Sequence, residues 1–151
     1  MATQRTYASR RHNILEGLVT ALKTIDGSGA FLSNLGVNVH PRMKFWDEVE
    51  EFPAIHLNAG GETRQYQGGG VKDRFLTVTV RCYVNEEDAQ VALGALLEDV
   101  ETVLEKHSRL TYFDSRFTKH STQQITIISI DTDEGVLEPL GVGEMIIEVR
   151  Y

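Results

Sequence analysis

Histidine is the residue type in this chain with the widest chemistry, because a neutral imidazole binds metal ions and can move protons near pH 7. A metal site would bring several such ligands together, as in two histidines three or four residues apart on a helix, or a cluster of cysteines. The histidines of this chain are instead scattered, at His12, His40, His56, His107 and His120. The sequence therefore predicts no metal site and no cofactor.

Nucleophilic and acid–base catalysis also lack a candidate. The single cysteine, Cys82, falls in the inward register of a predicted strand, where a thiol behaves as a small buried hydrophobe. No Gly-X-Ser-X-Gly motif is present, and the carboxylates of Asp131–Glu134 stand on a polar loop. We expect no catalytic residue. A small oligomeric enzyme or ligand-binding domain is kept as an alternative. It would need a concave apolar pocket with converging polar groups, and a perturbed acid such as Asp131 or Glu134.

The run Gly68–Gly70 has the composition of a phosphate-binding loop without its context. A P-loop ends in Gly-Lys-Ser or Gly-Lys-Thr and opens a helix, whose N–H groups gather around the phosphate. Gly68–Gly70 leads into a strand instead. We interpret it as a mobile hairpin tip, and such tips on a rigid sheet often contact partners.

Composition narrows the class of protein. The chain has 151 residues, of which 41% are hydrophobic and 25% charged, and this predicts one globular domain over residues 1–151 with 1–10 as a flexible N-terminal arm. No apolar run is long enough to span a membrane. The net charge of −7 argues against ordinary DNA binding, which needs a basic footprint.

Much of the negative charge falls in one predicted helix. Residues 86–106 contain seven acidic residues and one lysine. A solvated helix face is the plain interpretation of this acidic ridge. The alternative is a surface that repels DNA passing beside it. The candidate channel residues are Glu98, Glu101 and Glu105.

The segment 75–104 organises the predicted fold. Apolar residues alternate from Leu76 to Val84, which predicts a strand with one face in the core. Asn85 is the predicted N-cap of a helix whose first turn holds Glu86–Asp88, and apolar residues at helical spacing continue to Leu104. The helix therefore folds back over the strand.

The remaining elements follow from the same two periodicities. An amphipathic helix is predicted over 14–25. Short strands are predicted over 37–40, 52–59, 62–67, 125–130 and 145–151. We expect the isoleucines of 125–130 to be mostly buried. The fold class is α+β, a mainly antiparallel sheet of about four to five strands with two helices packed on one face.

Aromatic residues outside these elements have two interpretations. Phe45 and Trp46 either plug one end of the core or anchor a partner protein, and we favour the core. In the irregular segment 108–120, Tyr112, Phe113 and Phe117 are predicted to be apolar anchors.

The outward face of the sheet and two loops are the predicted contact surfaces. That face carries polar residues, and antiparallel sheets can join across chains, so a subunit interface competes there with plain solvent exposure. The loops are 67–72 and 131–140. The candidate interface residues are Gln67, Gly68, Gly69, Gly70, Lys72, Thr77, Arg81, Tyr83, Glu134 and Glu138.

The order of these features resembles the tail terminator, or tail completion, proteins of long-tailed bacteriophages. The features that recur together are the N-terminal amphipathic helix, Phe52–Ile55, the glycine-rich hairpin, the strand 76–84, Asn85–Asp88 and the terminal strand. The resemblance covers residues 10–151.

The resemblance implies a structural protein with no catalytic residues to carry over. It would form a ring, commonly a hexamer, on the end of the tail tube, stop tube growth and join the tail to the neck or head-completion protein. DNA would pass through the ring without specific binding. The protein would be assembled in the host cytoplasm and reside in the virion. The nearest alternative is another neck or head-completion connector.

Overall fold

The computed structural model describes residues 9–151. Helix α1 spans Arg10–Leu22 and helix α2 spans Ala89–Lys106. The side chain of Ser9 accepts a hydrogen bond of 3.1 Å from the backbone N–H of His12 and so caps α1. The predicted arm over 1–10 lies outside the described residues except for its last two, and Arg10 already belongs to the helix.

The strands form one large sheet and one small one. The large sheet has the order β1-β2-β3-β7-β6, and every neighbour pair is antiparallel except β1 with β2. The small sheet pairs β4 with β5. The strands are β1 Val39–His40, β2 Ala54–Tyr66, β3 Lys72–Asn85, β4 Thr111–Phe113, β5 Lys119–Ser121, β6 Gln124–Thr132 and β7 Leu140–Arg150.

Strands β2 and β3 make a long hairpin with Gly68–Gly70 at its tip. The two short strands predicted on either side of Gly60–Gly61 are a single strand, because the pairing with β3 continues through an irregularity between Ala59 and Glu62. The one extra residue of β2 is accommodated as a bulge, and the pairing with β3 continues on both sides of it.

Both helices pack on the same face of the large sheet and form one core with the alternating residues of β3 and β7. Two glycines let α2 approach closely. A Cβ on Gly141 would lie 3.3 Å from the carbonyl oxygen of Ala89 in α2, and one on Gly143 would lie 3.1 Å from Leu93 Cδ1. The predicted fold class is confirmed: two helices cover one face of a mainly antiparallel sheet of five strands.

The predicted start of the second helix is wrong by three residues. Asn85 is the last residue of β3 and pairs with Leu140, and α2 begins at Ala89. Residues 86–88 form a turn before the helix, so their carboxylates lie outside its first turn. Pairing with β7 carries the strand past the point where the apolar alternation ends.

Four of the five aromatic residues predicted either to plug the core or to be apolar anchors are exposed. Phe45 and Trp46 are 62% and 49% exposed, so the prediction that they plug the core is wrong. Phe113 and Phe117 are 48% and 82% exposed. Tyr112 alone of the set is buried. Segment 108–120 is also more regular than expected, because β4 and most of β5 lie within it.

The prediction that β6 is mostly buried is also wrong. Ile125 is buried, but Ile128 and Ile130 are 56% and 42% exposed. The register of β6 against β7 shifts between Ile127 and Ser129, so Ile128 is the extra residue of a bulge. The strand lies at the edge of the sheet, where there is less structure to cover it.

Candidate assembly surfaces

The first open edge of the large sheet is β6. It pairs with β7 on one side, and among the described residues no strand pairs with its other side. An open edge presents unpaired N–H and C=O groups that can bind another strand. Natural edges are usually protected by lysine, proline or a covering loop, whereas this one presents Ile128 and Ile130.

The second open edge belongs to β2, on the opposite side of the sheet. The parallel strand β1 covers β2 only at Ile55 and His56. From Leu57 to Tyr66, no other strand of the described chain pairs with this edge. The guanidinium of Arg11 donates a hydrogen bond to the carbonyl oxygen of Gly60. Within residues 9–151, the rest of this edge is therefore open.

The sheet face opposite the helices is the open face, and its central residues are Thr77, Thr79 and Glu148, all half-buried. Its cations are paired with acids. Arg81 Nε lies 3.0 Å from Glu144 Oε2, and a nitrogen of Arg150 lies 2.9 Å from the carboxylate of Asp73. The open face thus combines neutral polar groups with locally balanced charge.

One predicted interface residue on this face is inaccessible. Tyr83 is 1% exposed, because residues 41–53, which we call the strap, cross this end of the open face. The hydroxyl of Tyr83 donates a hydrogen bond to the carbonyl oxygen of Lys44 in the strap. Tyr83 therefore has a structural role, and its place among the interface candidates is wrong.

The strap is held through its main chain, which explains why its aromatic side chains point outward. The side-chain amide of Asn38 donates hydrogen bonds of 2.9 Å to the carbonyl oxygens of Glu51 and Pro53. The Nδ1–H of His56 donates to the carbonyl oxygen of Arg42 at 3.0 Å. With the backbone fixed in this way, Phe45 and Trp46 project from the surface.

Two stacked histidines lie beneath the strap. The rings of His40 and His56 are 5.0 Å apart, and His56 is 2% exposed. Burial lowers the pKa of both, and the charges of Lys44 and Arg42 lower the pKa of His40 further. Both imidazoles are therefore held neutral where the strap meets the sheet.

Acid is expected to weaken the strap. A histidine whose pKa is lowered by folding stabilises the fold fully above its ordinary pKa of 6.5, and that contribution is lost as the pH falls below it. We expect the free energy of unfolding to fall as the pH drops below about 6.5. Urea unfolding of the variant His56→Gln, which keeps an N–H donor but has no proton to gain, measures this effect.

We expect the free energy of unfolding of His56→Gln to depend less on pH than that of the wild type. An equal fall in the free energy of unfolding for the wild type and His56→Gln would contradict the role of His56.

The hairpin tip is exposed but internally bonded. Gly68–Gly70 forms one turn of 3₁₀-helix. The side-chain amide of Gln67 donates to a carboxylate oxygen of Asp73 at 2.9 Å, and its backbone N–H donates to the carbonyl oxygen of Val71 at 2.7 Å. Lys72 follows at the start of β3. The tip predicted from the glycines is confirmed as a hairpin, and it projects from the sheet.

The loop between β6 and β7 is organised by Asp133. Its carboxylate accepts hydrogen bonds from the backbone N–H groups of Leu137, at 3.2 Å, and Val142, at 3.3 Å. Glu134 and Glu138 remain exposed. Asp133 is thus part of the loop's own structure, while the two glutamates are presented to solvent.

Helix α2 exposes Glu98, Glu101 and Glu105, as the acidic ridge requires. Asp99 is different, because it is 2% exposed. Its carboxylate accepts hydrogen bonds from the backbone N–H groups of Leu32 and Ser33. Asp99 therefore joins the helix to the segment that follows α1 and does not belong to the ridge.

Of the groups considered for chemistry, His40 and His56 are brought together in the stacked pair beneath the strap. Cys82 is fully buried, and burial raises the pKa of its thiol to about 12. Residues 9–151 contain no group of three or more histidine, cysteine, aspartate or glutamate side chains arranged to hold a metal ion. No helix in the described part of the chain has the length and apolar character needed to cross a membrane.

Comparison with known proteins decides the family. The family model described as "Bacteriophage Tail Tube Terminator Protein" matches residues 8–151, which is nearly the whole chain. This chain belongs to the tail tube terminator family. Its predicted resemblance is thereby confirmed, and the protein is a structural component of a phage tail in the virion.

Two further similarities agree with this assignment. The tail tube terminator protein p142 of Escherichia phage T5 is 34% identical over 150 residues, covering 93% of this chain and 92% of that protein. A chain from the virion of a native gene transfer agent particle matches with a TM-score of 0.56 at 11% identity, covering 88% of this chain and 92% of that one. The second similarity shows that this terminator shares that chain's fold.

Proposed function

We propose that copies of this terminator join edge to edge into a closed ring of six on the last ring of the tail tube. The ring would stop addition of tube subunits and offer its other side to the neck. The observation that carries this proposal is the pair of open edges, β6 and β2, on opposite sides of one sheet. Joining unlike edges repeatedly closes a ring when the rotation between copies allows it.

Strand direction favours this joint. The strands β2, β3, β7 and β6 alternate in direction, so β6 runs opposite to β2. If β6 of one copy pairs with β2 of the next, the new pair is antiparallel and continues the existing pattern. The joint would cover Ile128 and Ile130, and it would satisfy backbone groups on both edges.

The size of such a ring suits a DNA passage. Six copies with four long strands each give about 24 strands, and about 4.8 Å between strands with a tilt near 40° makes a barrel about 48 Å across. A layer of helices inside that barrel would narrow the hole by about 15 Å on each side. The remaining hole would be too narrow for hydrated duplex DNA, so we place the helices outside.

The open face then lines the hole. Thr77, Thr79 and Glu148 would face the DNA, and the paired guanidinium groups of Arg81 and Arg150 would offer it little free positive charge. This suits DNA that passes without being bound. In this arrangement Glu98, Glu101 and Glu105 lie on the outer surface, which differs from the channel position expected from the sequence.

The two loops that project beyond the strand ends would contact the proteins above and below the ring along the tail axis. The hairpin tip, with Gln67, Gly68–Gly70 and Lys72, lies at one end of the strands, and the loop with Glu134 and Glu138 lies at the other. The tail tube protein would bind at one end and the neck protein at the other.

Adding the terminator to polymerising tail tube protein of the same phage tests this function. We expect elongation to stop and electron micrographs to show one ring at the capped end of each tube. Bovine serum albumin at equal mass controls for non-specific binding. Tubes that continue to grow with the terminator present would contradict the proposal, and binding to the neck protein alone would favour the connector alternative.

A further inference from the structure

The two ends of the sheet carry opposite charge. At one end lie the strap, the turn 86–88, the end of β6 from Asp131 and the loop that follows it. We call this the acid end, and its segments hold eleven acidic residues against Arg42 and Lys44. The acidic residues are Asp47, Glu48, Glu50, Glu51, Glu86, Glu87, Asp88, Asp131, Asp133, Glu134 and Glu138.

The other end, which we call the basic end, contains the hairpin tip, the C-terminus of α2 and the small sheet. Ten basic residues lie there against five acidic ones, Glu16, Glu62, Asp73, Glu105 and Asp114. The basic residues are Arg10, Arg11, Arg64, Lys72, Arg74, Lys106, Arg109, Arg116, Lys119 and Arg150. The chain is therefore electrically polarised along its strands.

The acid end also has an apolar hollow. It has a volume of about 270 Å³, and Trp46, Leu137 and Val142 supply its apolar surface. Asp131, beside them, adds acidic charge to its rim. Phe45 lies next to Trp46 in the strap and is 62% exposed. Exposed aromatic residues around a small hollow are typical anchors of protein interfaces.

The negative charge of the acid end favours a binding partner with basic residues. We propose that the acid end binds a loop of an adjoining virion protein that places an apolar side chain in the hollow between flanking lysine or arginine residues. This rests on the proposed ring, because a ring aligns all acid ends on one side and leaves them facing the next component along the tail axis.

A second copy of this chain is a poorer occupant. Its basic end has the right chemistry, with Val71 58% exposed beside Lys72. In a ring, however, all copies point the same way, so a neighbour's basic end lies far from the acid end. Only a second ring could place it there, and rings that stacked on themselves would continue without limit. That would defeat termination, so the occupant is a different protein with similar surface chemistry.

Binding measurements on two variants of the full chain test the proposal. Trp46→Ala removes the aromatic wall. Asp47→Lys/Asp131→Lys reverses the charge of one rim acid and of the acid next to Trp46 in the strap, without touching Asp133, which the loop needs. Glu98→Lys/Glu101→Lys is the matched control, with an equal charge change on α2. Biolayer interferometry against the tail tube protein and against the neck protein, each at low and high salt, gives the affinities.

We expect one of the two partners to lose about tenfold or more in affinity for both variants, with the control unchanged. Added salt should weaken wild-type binding to that partner. Wild-type affinity of both variants for both partners would overturn the proposal. Wild-type rings that stack on themselves, and lose this in Trp46→Ala, would also overturn it and identify a second copy as the occupant.

Failure of the proposed function would look different. The wild type would then fail to cap tubes, whatever the variants do. The inference about the acid end fails alone if the wild type caps tubes and the variants keep wild-type affinity for both partners.

Discussion

Replacing Ile128 and Ile130 with lysine is expected to abolish ring closure while leaving the single chain folded. Both side chains are already substantially exposed, so lysine adds little strain to the chain by itself. In the joined state each lysine would lose water at the covered edge, at a cost of about 2 kcal/mol per joint. Edge lysines are also a known obstacle to pairing between sheets. Every joint of the ring carries this cost, so the total free-energy cost is the sum over all joints.

Native mass spectrometry and micrographs of capped tubes measure this effect. The double variant should give no rings and should fail to limit tube length. Val37→Lys/Val91→Lys is the matched control, because both valines are more than two-thirds exposed and lie outside the strands. If Ile128→Lys/Ile130→Lys formed rings as readily as this control, the edge joint would be wrong.

Replacing Asp99 with alanine is expected to cost about 3 kcal/mol of folding free energy. The carboxylate of Asp99 accepts hydrogen bonds from the backbone N–H groups of Leu32, at 3.0 Å, and Ser33, at 2.7 Å. Asp99 is only 2% exposed, so alanine would leave both N–H donors buried without a hydrogen-bond partner. For a domain of this size the loss corresponds to a fall in Tm of roughly 6 to 12 °C.

Urea unfolding followed by circular dichroism measures this loss, and Asp99→Asn serves as the control. Asparagine keeps one acceptor oxygen and nearly the same volume, so we expect a smaller loss. An exposed acid on the same helix, Glu101, should tolerate alanine with little change. Equal stability of Asp99→Ala and Glu101→Ala would show that the buried carboxylate is not a structural link.

The long strand, the second helix and the last strand could be predicted because their periodicity records which side faces the core. Leu76 to Val84 alternate inward as expected, and so do Met145, Ile147 and Val149. The boundary at Asn85 could not be predicted in the same way. Its pairing with Leu140 depends on a strand more than fifty residues away, and local capping preference was overridden by that ladder.

The features that matter for assembly depend on topology, which a local pattern does not contain. The isoleucines of β6 have the composition of a buried strand, and only the sheet order shows that β6 is at an edge. The aromatic residues of the strap point outward because its main chain is fastened beneath them. Asp99 did carry a signal: it lies three residues after Leu96 and four before Val103, on the apolar stripe of α2.

A reconstruction of the capped end of a tail tube by electron cryo-microscopy tests the central claim most directly. The account predicts a ring in which β6 of each copy pairs antiparallel with β2 of the next, around a hole wide enough for duplex DNA, with both helices outside. A ring whose copies meet through α1 or α2, with both sheet edges left open, would contradict it.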